Sequence, residues 1–472
     1  MTTADQSPSR KPWFDYRAVW RWHFYAGLFC IPFVLFLAVT GSIYLFRPQI
    51  EPWLDRPYDH LVVTGHPASA EARVGAALAA VPGSVLHSYE LPKSPNAATQ
   101  IIVKRRAEDV RVYVHPETLQ ILKTVKEMDR LMNVIFYLHG ELLLKNTGST
   151  IVELAASWAI IMIVTGLYLW WPRQGRGLAG VVYPRFNGGT RLFWRDLHAV
   201  TGVWVSSLAL FLLVTGLPWA FVWGSYLQKV RDLTHTAVAK PDWPVGHPEG
   251  EPGQVPPAAA GGTTAIPAEH AAHMARAGGK GEAARNPADY SPIDRLVGVV
   301  APLSLAPPVL ISPPDKDSPN WTARSEAQNR TLRVDLVLDG TTGAILKRED
   351  FKDRLLVDRL VGIGVAAHEG QLFGWPNQLL GVLTASGLIL LSVSSVNMWW
   401  RRRPAGVLGA PDPIQNPRFS IGLGVLILIF AVYLPLFGLS MLVVKIIEKL
   451  ILRRIPAVRD WLGLTMAATR SG

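Results

Sequence analysis

The chain has 472 residues, a formal charge of +11 and 49% hydrophobic residues, enough for two or three compact units. Its one cysteine, Cys30, excludes an intrachain disulfide, a thiolate-held iron–sulfur cluster and any CxxCH attachment site. The apolar residues gather in five nearly charge-free stretches, roughly 24–46, 150–171, 199–223, 377–400 and 420–444. Each has about the twenty residues needed to cross a bilayer core. The expected class is an α-helical polytopic membrane protein, and the basic balance reads as membrane topology rather than nucleic-acid binding.

Residues 1–46 read as a cytoplasmic N-terminus and a first span. Arg17 and Arg21 precede the span, as in a signal peptide, but it contains Trp22, His23 and Pro32 and lacks a small-residue cleavage site, so it reads as a retained anchor. Residues 47–149 are expected outside, as a small α+β domain with a short helix from Glu71 to Ala80 and a strand at 110–114. The second span, 150–171, ends in Trp170-Trp171. Arg173, Arg176, Arg185, Arg191 and Arg195 crowd the loop 172–197, which places it in the cytoplasm. A third span, 198–223, leads to a second outside domain, 224–376, with a helix from Ile293 to Ala301, a strand at 332–338 and turns at Asp339-Gly340 and Thr342-Gly343. Its stretch 235–290, rich in Ala, Gly and Pro, reads as a mobile insertion. The fourth span, 377–400, ends in Trp399-Trp400 and is followed by Arg401, Arg402 and Arg403 in a cytoplasmic loop, 401–419.

Residues 420–472 hold a fifth span and a tail. If that span crosses outward, Lys445, Lys449, Arg453 and Arg454 break the positive-inside rule. Ile446 to Leu464 could instead lie along the surface as an amphipathic helix.

The sequence repeats. His23, Gly27 and Thr40-Gly41 are matched by His198, Gly202 and Thr215-Gly216, each offset by the same 175 positions. His139 precedes Trp170-Trp171 by the 31 positions that separate His368 from Trp399-Trp400. The expected architecture is therefore duplicated halves: helix, outside domain, helix, used twice.

Four of the twelve histidines belong to this repeat. Histidines within or beside spans are costly and usually functional. On one α-helix His23, Gly27 and Gly41 share a face, as do His198, Gly202 and Gly216. A histidine above a glycine strip suits a flat macrocycle: the imidazole ligates iron and the missing side chains leave room for the porphyrin. Close packing through small residues would explain the glycines but not the histidines. The topology pairs His23 with His198 at the cytoplasmic side. It pairs His139 with His368 at the other, in apolar segments, Leu131–Leu144 and Leu355–Phe373, that fold back over the membrane mouth. Two bis-histidine haem sites result. Tyr137, Phe373 and Trp375 flank the outer pair; they read first as membrane-interface anchors, with an apolar floor for an acceptor as the alternative. His270 and His273 form an HxxH without further ligands nearby, and His60, His66, His87, His115, His235 and His247 read as loop or surface residues. No nucleotide-binding, hydrolase or zinc-protease motif is present.

At Trp20-Arg21-Trp22-His23, at 165–173 (TGLYLWWPR), at Leu197-His198-Ala199-Val200-Thr201-Gly202 and at 368–374 (HEGQLFG) with Trp399-Trp400-Arg401-Arg402, the sequence resembles the PepSY-associated transmembrane family, often called iron-regulated membrane proteins. The resemblance covers nearly the whole chain. It implies PepSY-like outside domains, a bacterial inner membrane with a periplasmic face, and kinship with reductases of ferric siderophores that bind haem b. The expected function is transmembrane electron transfer from the quinol pool or a cytoplasmic reductase to a periplasmic ferric siderophore, with Fe(II) released for iron acquisition. The alternative is a non-catalytic sensing or interaction protein that uses its PepSY-like domains. A transporter is disfavoured, because Glu153, near a membrane end, is the one charged residue in the spans.

Overall fold

The computed structural model of the chain describes residues 15–172, 177–236, 245, 289–315, 320–413 and 421–464. Arg173, Arg176, His247, His270, His273 and nearly all of the insertion lie outside the described residues.

Four helices are long and apolar enough to cross a membrane: α1 (Tyr16–Leu45), α5 (Lys145–Trp170), α6 (Gly189–Gly216, continued to Trp219 by a 3-10 turn) and α10 (Trp375–Arg402). At about 1.5 Å per residue each exceeds a 30 Å hydrocarbon core. Asp15 opens α1 by accepting the Arg17 backbone N–H. The helices approach through small residues, as bilayer helices do where lipid removes the hydrophobic drive. A Cβ on Gly387 of α10 would lie 2.5 Å from Val205 of α6, and one on Gly381 would lie 2.7 Å from Leu45. Leu45, at the end of α1, thus meets the start of α10, and Arg402, at the end of α10, stacks over Trp20 and Phe24 at the start of α1. The contacts of α6 with α10 and of α1 with α5 have the same antiparallel sense.

This arrangement gathers everything inserted after α1 and α6 at one end of the bundle. There, after α2 (Arg47–Asp59) and α3 (Ala70–Ala80), stand β1 (Val85–Glu90), β2 (Thr99–Arg105), β3 (Glu108–Val114) and β4 (Ile121–Lys126). α4 (Leu131–Glu141) returns to the bundle. After α6 come α7 (Phe221–Leu233), α8 (Pro292–Val300), β5 (Val309–Ser312), β6 (Trp321–Ser325), β7 (Val334–Leu338), β8 (Ile345–Asp350) and α9 (Leu356–His368). The expected helices and strands are present, as is the turn before β8, where Asp339 accepts from the backbone N–H of Thr341 and Thr342.

The expectation of two separate outside domains needs correction at the sheet. The strands form a single antiparallel sheet in the order β4-β3-β2-β1-β5-β6-β7-β8. The two meanders meet where Tyr89 pairs with Ile311 and Glu90 with Leu310. An unpaired strand edge leaves a row of N–H and C=O groups without partners, and this pairing closes one edge of each meander. α3 and α8 cover one face: Val74, Ala77, Ile293 and Leu296 pack on Tyr89, Val112, Ile311 and Leu336 in one core. Across the sheet, Arg111 is bound by Glu90 and Glu127. Burial alone would raise the Glu127 carboxyl, but the charges and hydrogen bonds of Arg111 and Arg130 together outweigh it and hold the group below the ordinary carboxylate range.

The fifth apolar stretch does not run straight. α11 (Ile421–Tyr433) and α12 (Pro435–Ile447) are bent by 120° at Leu434. Pro435 has no N–H to continue the ladder and its ring clashes with the preceding turn. After a π-helical turn at Glu448–Leu452 the chain makes one short helix, α13 (Pro456–Trp461). Its end then docks where the stretch began. Leu408 N–H donates to Trp461 O (2.9 Å), Tyr25 Oη to Leu462 O (2.6 Å) and Arg21 to Gly463 O (2.8 Å). The geometry is that of a re-entrant hairpin, which removes the conflict with the positive-inside rule: Lys445, Lys449, Arg453 and Arg454 follow the apex on the returning limb. In a Cys30→Ser background, Asp412→Cys and Asp460→Cys should react with a membrane-impermeant maleimide from one side and Thr341→Cys from the other. Reaction of Asp460→Cys together with Thr341→Cys would establish a fifth crossing instead.

Candidate functional site

Each repeat histidine is held by a polar group of a neighbouring helix. His139, near the end of α4, places Nδ1 3.0 Å from Thr40 Oγ1 on α1. His23 on α1 stands 3.0 Å from Thr165 Oγ1 on α5, and His368, the last residue of α9, 3.0 Å from Thr215 Oγ1 on α6. His198 on α6 places Nδ1 3.2 Å from Leu391 O and 3.1 Å from Ser395 Oγ, both on α10.

These partners fix where the imidazole proton sits. A threonine hydroxyl has one hydrogen, and each of these three gives it to its own helix: Thr40 to Phe36 O, Thr165 to Ile161 O and Thr215 to Phe211 O, at 2.7–2.9 Å. The hydroxyl oxygen can then only accept, so the proton belongs on Nδ1. A backbone carbonyl also only accepts, and Leu391 O therefore makes the same demand of His198. All four rings carry Nδ1–H and present Nε2 as an unprotonated lone pair. This is the arrangement in which a histidine serves as a metal ligand, its other nitrogen anchored by an outer acceptor.

The glycines line the cavity, as the expected strip requires, and three of them also seat a ring. Gly41 and Gly216 do not sit beneath the histidine of their own helix. A Cβ at Gly41 would lie 3.1 Å from His139 Cε1, at Gly166 3.1 Å from His23 Cε1 and at Gly216 3.6 Å from His368 Cε1. The Thr-Gly pairs are seats for the ring of another helix: the threonine accepts its proton and the glycine admits its edge. Gly27 and Gly202 seat no ring: a Cβ there would come no nearer than 3.7 Å to Met162 and 3.5 Å to Leu391.

All four histidines line one continuous cavity of about 2120 Å³ running the length of the bundle. Ligand pockets are typically roughly 300–1,000 Å³, so this one has room for more than one large ligand. His23 and His198 face each other with ring centres 6.5 Å apart and planes at 77°. His139 and His368 lie at the sheet end, within electrostatic reach of one another. The pairing expected from topology is the pairing by proximity.

Phe373 and Trp375 are 72% and 74% exposed and do not line the cavity, whereas Phe136 and Trp219 do. Glu153 is 2% exposed, and its carboxylate accepts the backbone N–H of Val222 and Trp223 at 3.0 and 3.1 Å. It caps the start of α7, which has no cap of its own, and this accounts for an acid within a span. His115 accepts two backbone N–H groups of its own turn, and His87 pairs with Asp109 at 3.6 Å. Neither they nor His60, His66 and His235 line the cavity.

The site defines a class: a polytopic membrane protein with four histidines lining an intramembrane cavity, two of them, His23 and His198, facing each other. The chain matches the family model of the PepSY-associated TM region over residues 20–402, and it belongs to that family. Comparison with curated proteins finds no match.

Replacing one hydroxyl by a near-isosteric methyl leaves a buried Nδ1–H without its acceptor, which costs about 1–3 kcal/mol. Thr40→Val, Thr165→Val and Thr215→Val should each lower the unfolding midpoint in detergent, with ¹⁵N-histidine spectra showing one ring losing its single tautomer. The corresponding Ser variants should retain both properties.

Proposed function

We propose that this protein is a di-haem b-type oxidoreductase of the bacterial inner membrane that delivers electrons to ferric siderophore on the periplasmic side, releasing Fe(II). One observation carries the reading: four intramembrane histidines, each forced into the Nδ1–H form, line a single cavity in two pairs. Among the described residues no group of three or more His, Cys, Asp or Glu is placed to hold a bare metal ion. Histidines placed this way would suit a haem, whose macrocycle supplies most of the iron's ligands and leaves imidazoles to supply the rest. His23 and His198, with ring centres 6.5 Å apart, leave room between them for such a group.

His23 and His198 would hold one haem and His139 and His368 the other. Haem held by two histidines supplies one-electron redox chemistry with no open coordination position, which suits electron transfer rather than oxygen activation. The protein's part is placement. Thr40, Thr165, Thr215 and Leu391 O orient the ligands and raise their basicity through the Nδ1–H bond. Gly27 and Gly202 keep the cavity wall flat. The arginines at the opposite end, Arg185, Arg191, Arg195, Arg401 and Arg402, support reading the sheet end as periplasmic. A ferric chelate is too polar to enter the bilayer and must react at that mouth. One electron reduces Fe(III) to Fe(II), which hard oxygen donors hold far less tightly.

The purified protein should show a Soret band and sharp reduced α and β bands at about two haems per chain. His198→Ala and His368→Ala should each leave about half of that signal. A folded, colourless protein would sink the reading. Anaerobically reduced protein mixed with a ferric hydroxamate should reoxidise with one Fe(II) formed per electron, as read by a ferrous chelator. Stable reduced haem in the presence of every ferric chelate tried would exclude the siderophore step but not haem binding.

A further inference from the structure

The arginines at the end of the cavity opposite the sheet fall into two groups. Arg185 and Arg195 share the carboxylate of Asp196, a wholly buried group that binds Arg185 at 2.7 and 2.9 Å and Arg195 at 2.7 and 3.1 Å. Arg191 and Arg402 also line the cavity, but among the described residues neither has a carboxylate partner. Arg402 is held in place by stacking over Trp20 at 5.1 Å and Phe24 at 5.5 Å. Arg191 lies close enough for its charge to act on Arg402. Two like charges converging on one cavity without compensation are unfavourable unless an anion lies between them.

Their positions relate to the histidine pair. Arg191 is seven residues before His198 on α6, and Arg402 is seven residues after Ser395, the hydroxyl that meets His198 Nδ1, on α10. Seven residues are almost two full turns, so each arginine shares the cavity-facing side of its helix with that contact, roughly 10 Å along the axis. A headgroup phosphate approaching from the membrane surface would not require this alignment. An anion carried on the edge of a ligand already fixed at His198 would.

We propose that Arg191 and Arg402 form a carboxylate site for the porphyrin held by His23 and His198, with the propionate-bearing edge turned toward the arginine end. This rests on the haem reading above and adds an orientation to it. Guanidinium groups are matched to this task, since they offer paired N–H donors in the geometry of a carboxylate.

The test uses the full chain in a His368→Ala background, so that the His23/His198 site alone is read. The protein is reconstituted with haem or with haem dimethyl ester, whose carboxylates are blocked, and loss of each to excess apomyoglobin is followed in the Soret region. Haem should be retained at least about tenfold longer than the ester, equivalent to about 1.4 kcal/mol. In Arg191→Gln/Arg402→Gln the haem should leave as fast as the ester, so that the preference disappears. Arg191→Lys/Arg402→Lys should keep part of it. Arg403→Gln, whose side chain stacks on Trp399 and Trp400 and does not line the cavity, should keep all of it. An undiminished preference in the Gln pair would overturn the proposal. So would a fall in bound anionic phospholipid, measured by mass spectrometry, with the preference intact, since the arginines would then serve a lipid phosphate. Absence of haem from the parent would sink the haem reading itself, and this orientation with it.

Discussion

The bundle depends on a proton being kept in one place on each of four imidazoles. A neutral histidine can carry its hydrogen on either nitrogen, and in water the choice is nearly free. Here a threonine whose own hydrogen is already given to its helix, or a backbone carbonyl, stands against Nδ1 at 3.0–3.2 Å. The bond crosses from one helix to another every time: α4 to α1, α1 to α5, α9 to α6, and α6 to α10. The same contacts that orient the histidines therefore set the relative depth of the helices. A register slip of one residue would separate a ring from both its hydroxyl and the glycine that admits its edge.

Much of this was legible before any coordinates. Four spans follow from hydropathy alone, and the four histidines follow from their matched offsets. Thr40-Gly41 and Thr215-Gly216 also stood out as repeat markers, but their partners did not. A helical wheel tells which residues share a face of one helix, so Gly41 was assigned to His23. It does not tell which helix that face meets, and the ring seated there is that of His139. The role of Thr165 was hidden for the same reason, although it lies within a motif that marked the family. Glu153 shows the converse: its oddity was visible, but its partners, two backbone N–H groups on α7, carry no sequence signal.

The join in the sheet was unreadable for a related reason. Within each meander the strands pair with near neighbours, and alternation and turn residues mark them. β1 and β5 lie more than 200 residues apart, and their contact is made by backbone groups that every sequence supplies. The consequence is mechanical: the elements that carry His139 and His368 to the mouth of the cavity, α4 and α9, hang from one continuous platform. A shared sheet fixes the spacing of these two histidines more firmly than two independent modules tethered by loops.

The hairpin of α11 and α12 bears on how the molecule is put together. An apolar segment that enters and leaves by the same face requires no polar chain to be carried across the bilayer. It can be inserted last, after the four crossing helices have assembled, and wedged against them. Leu434 and Phe437 at its bend are buried against Ile160 and Leu217, while Trp158 and Trp223 bond to Ser440 Oγ and Tyr433 O. The returning limb then latches onto Arg21 and Tyr25 at the root of α1. A segment that follows all four crossing helices thus clamps α1, and the cavity walls gain this support only after the helices that form them are in place.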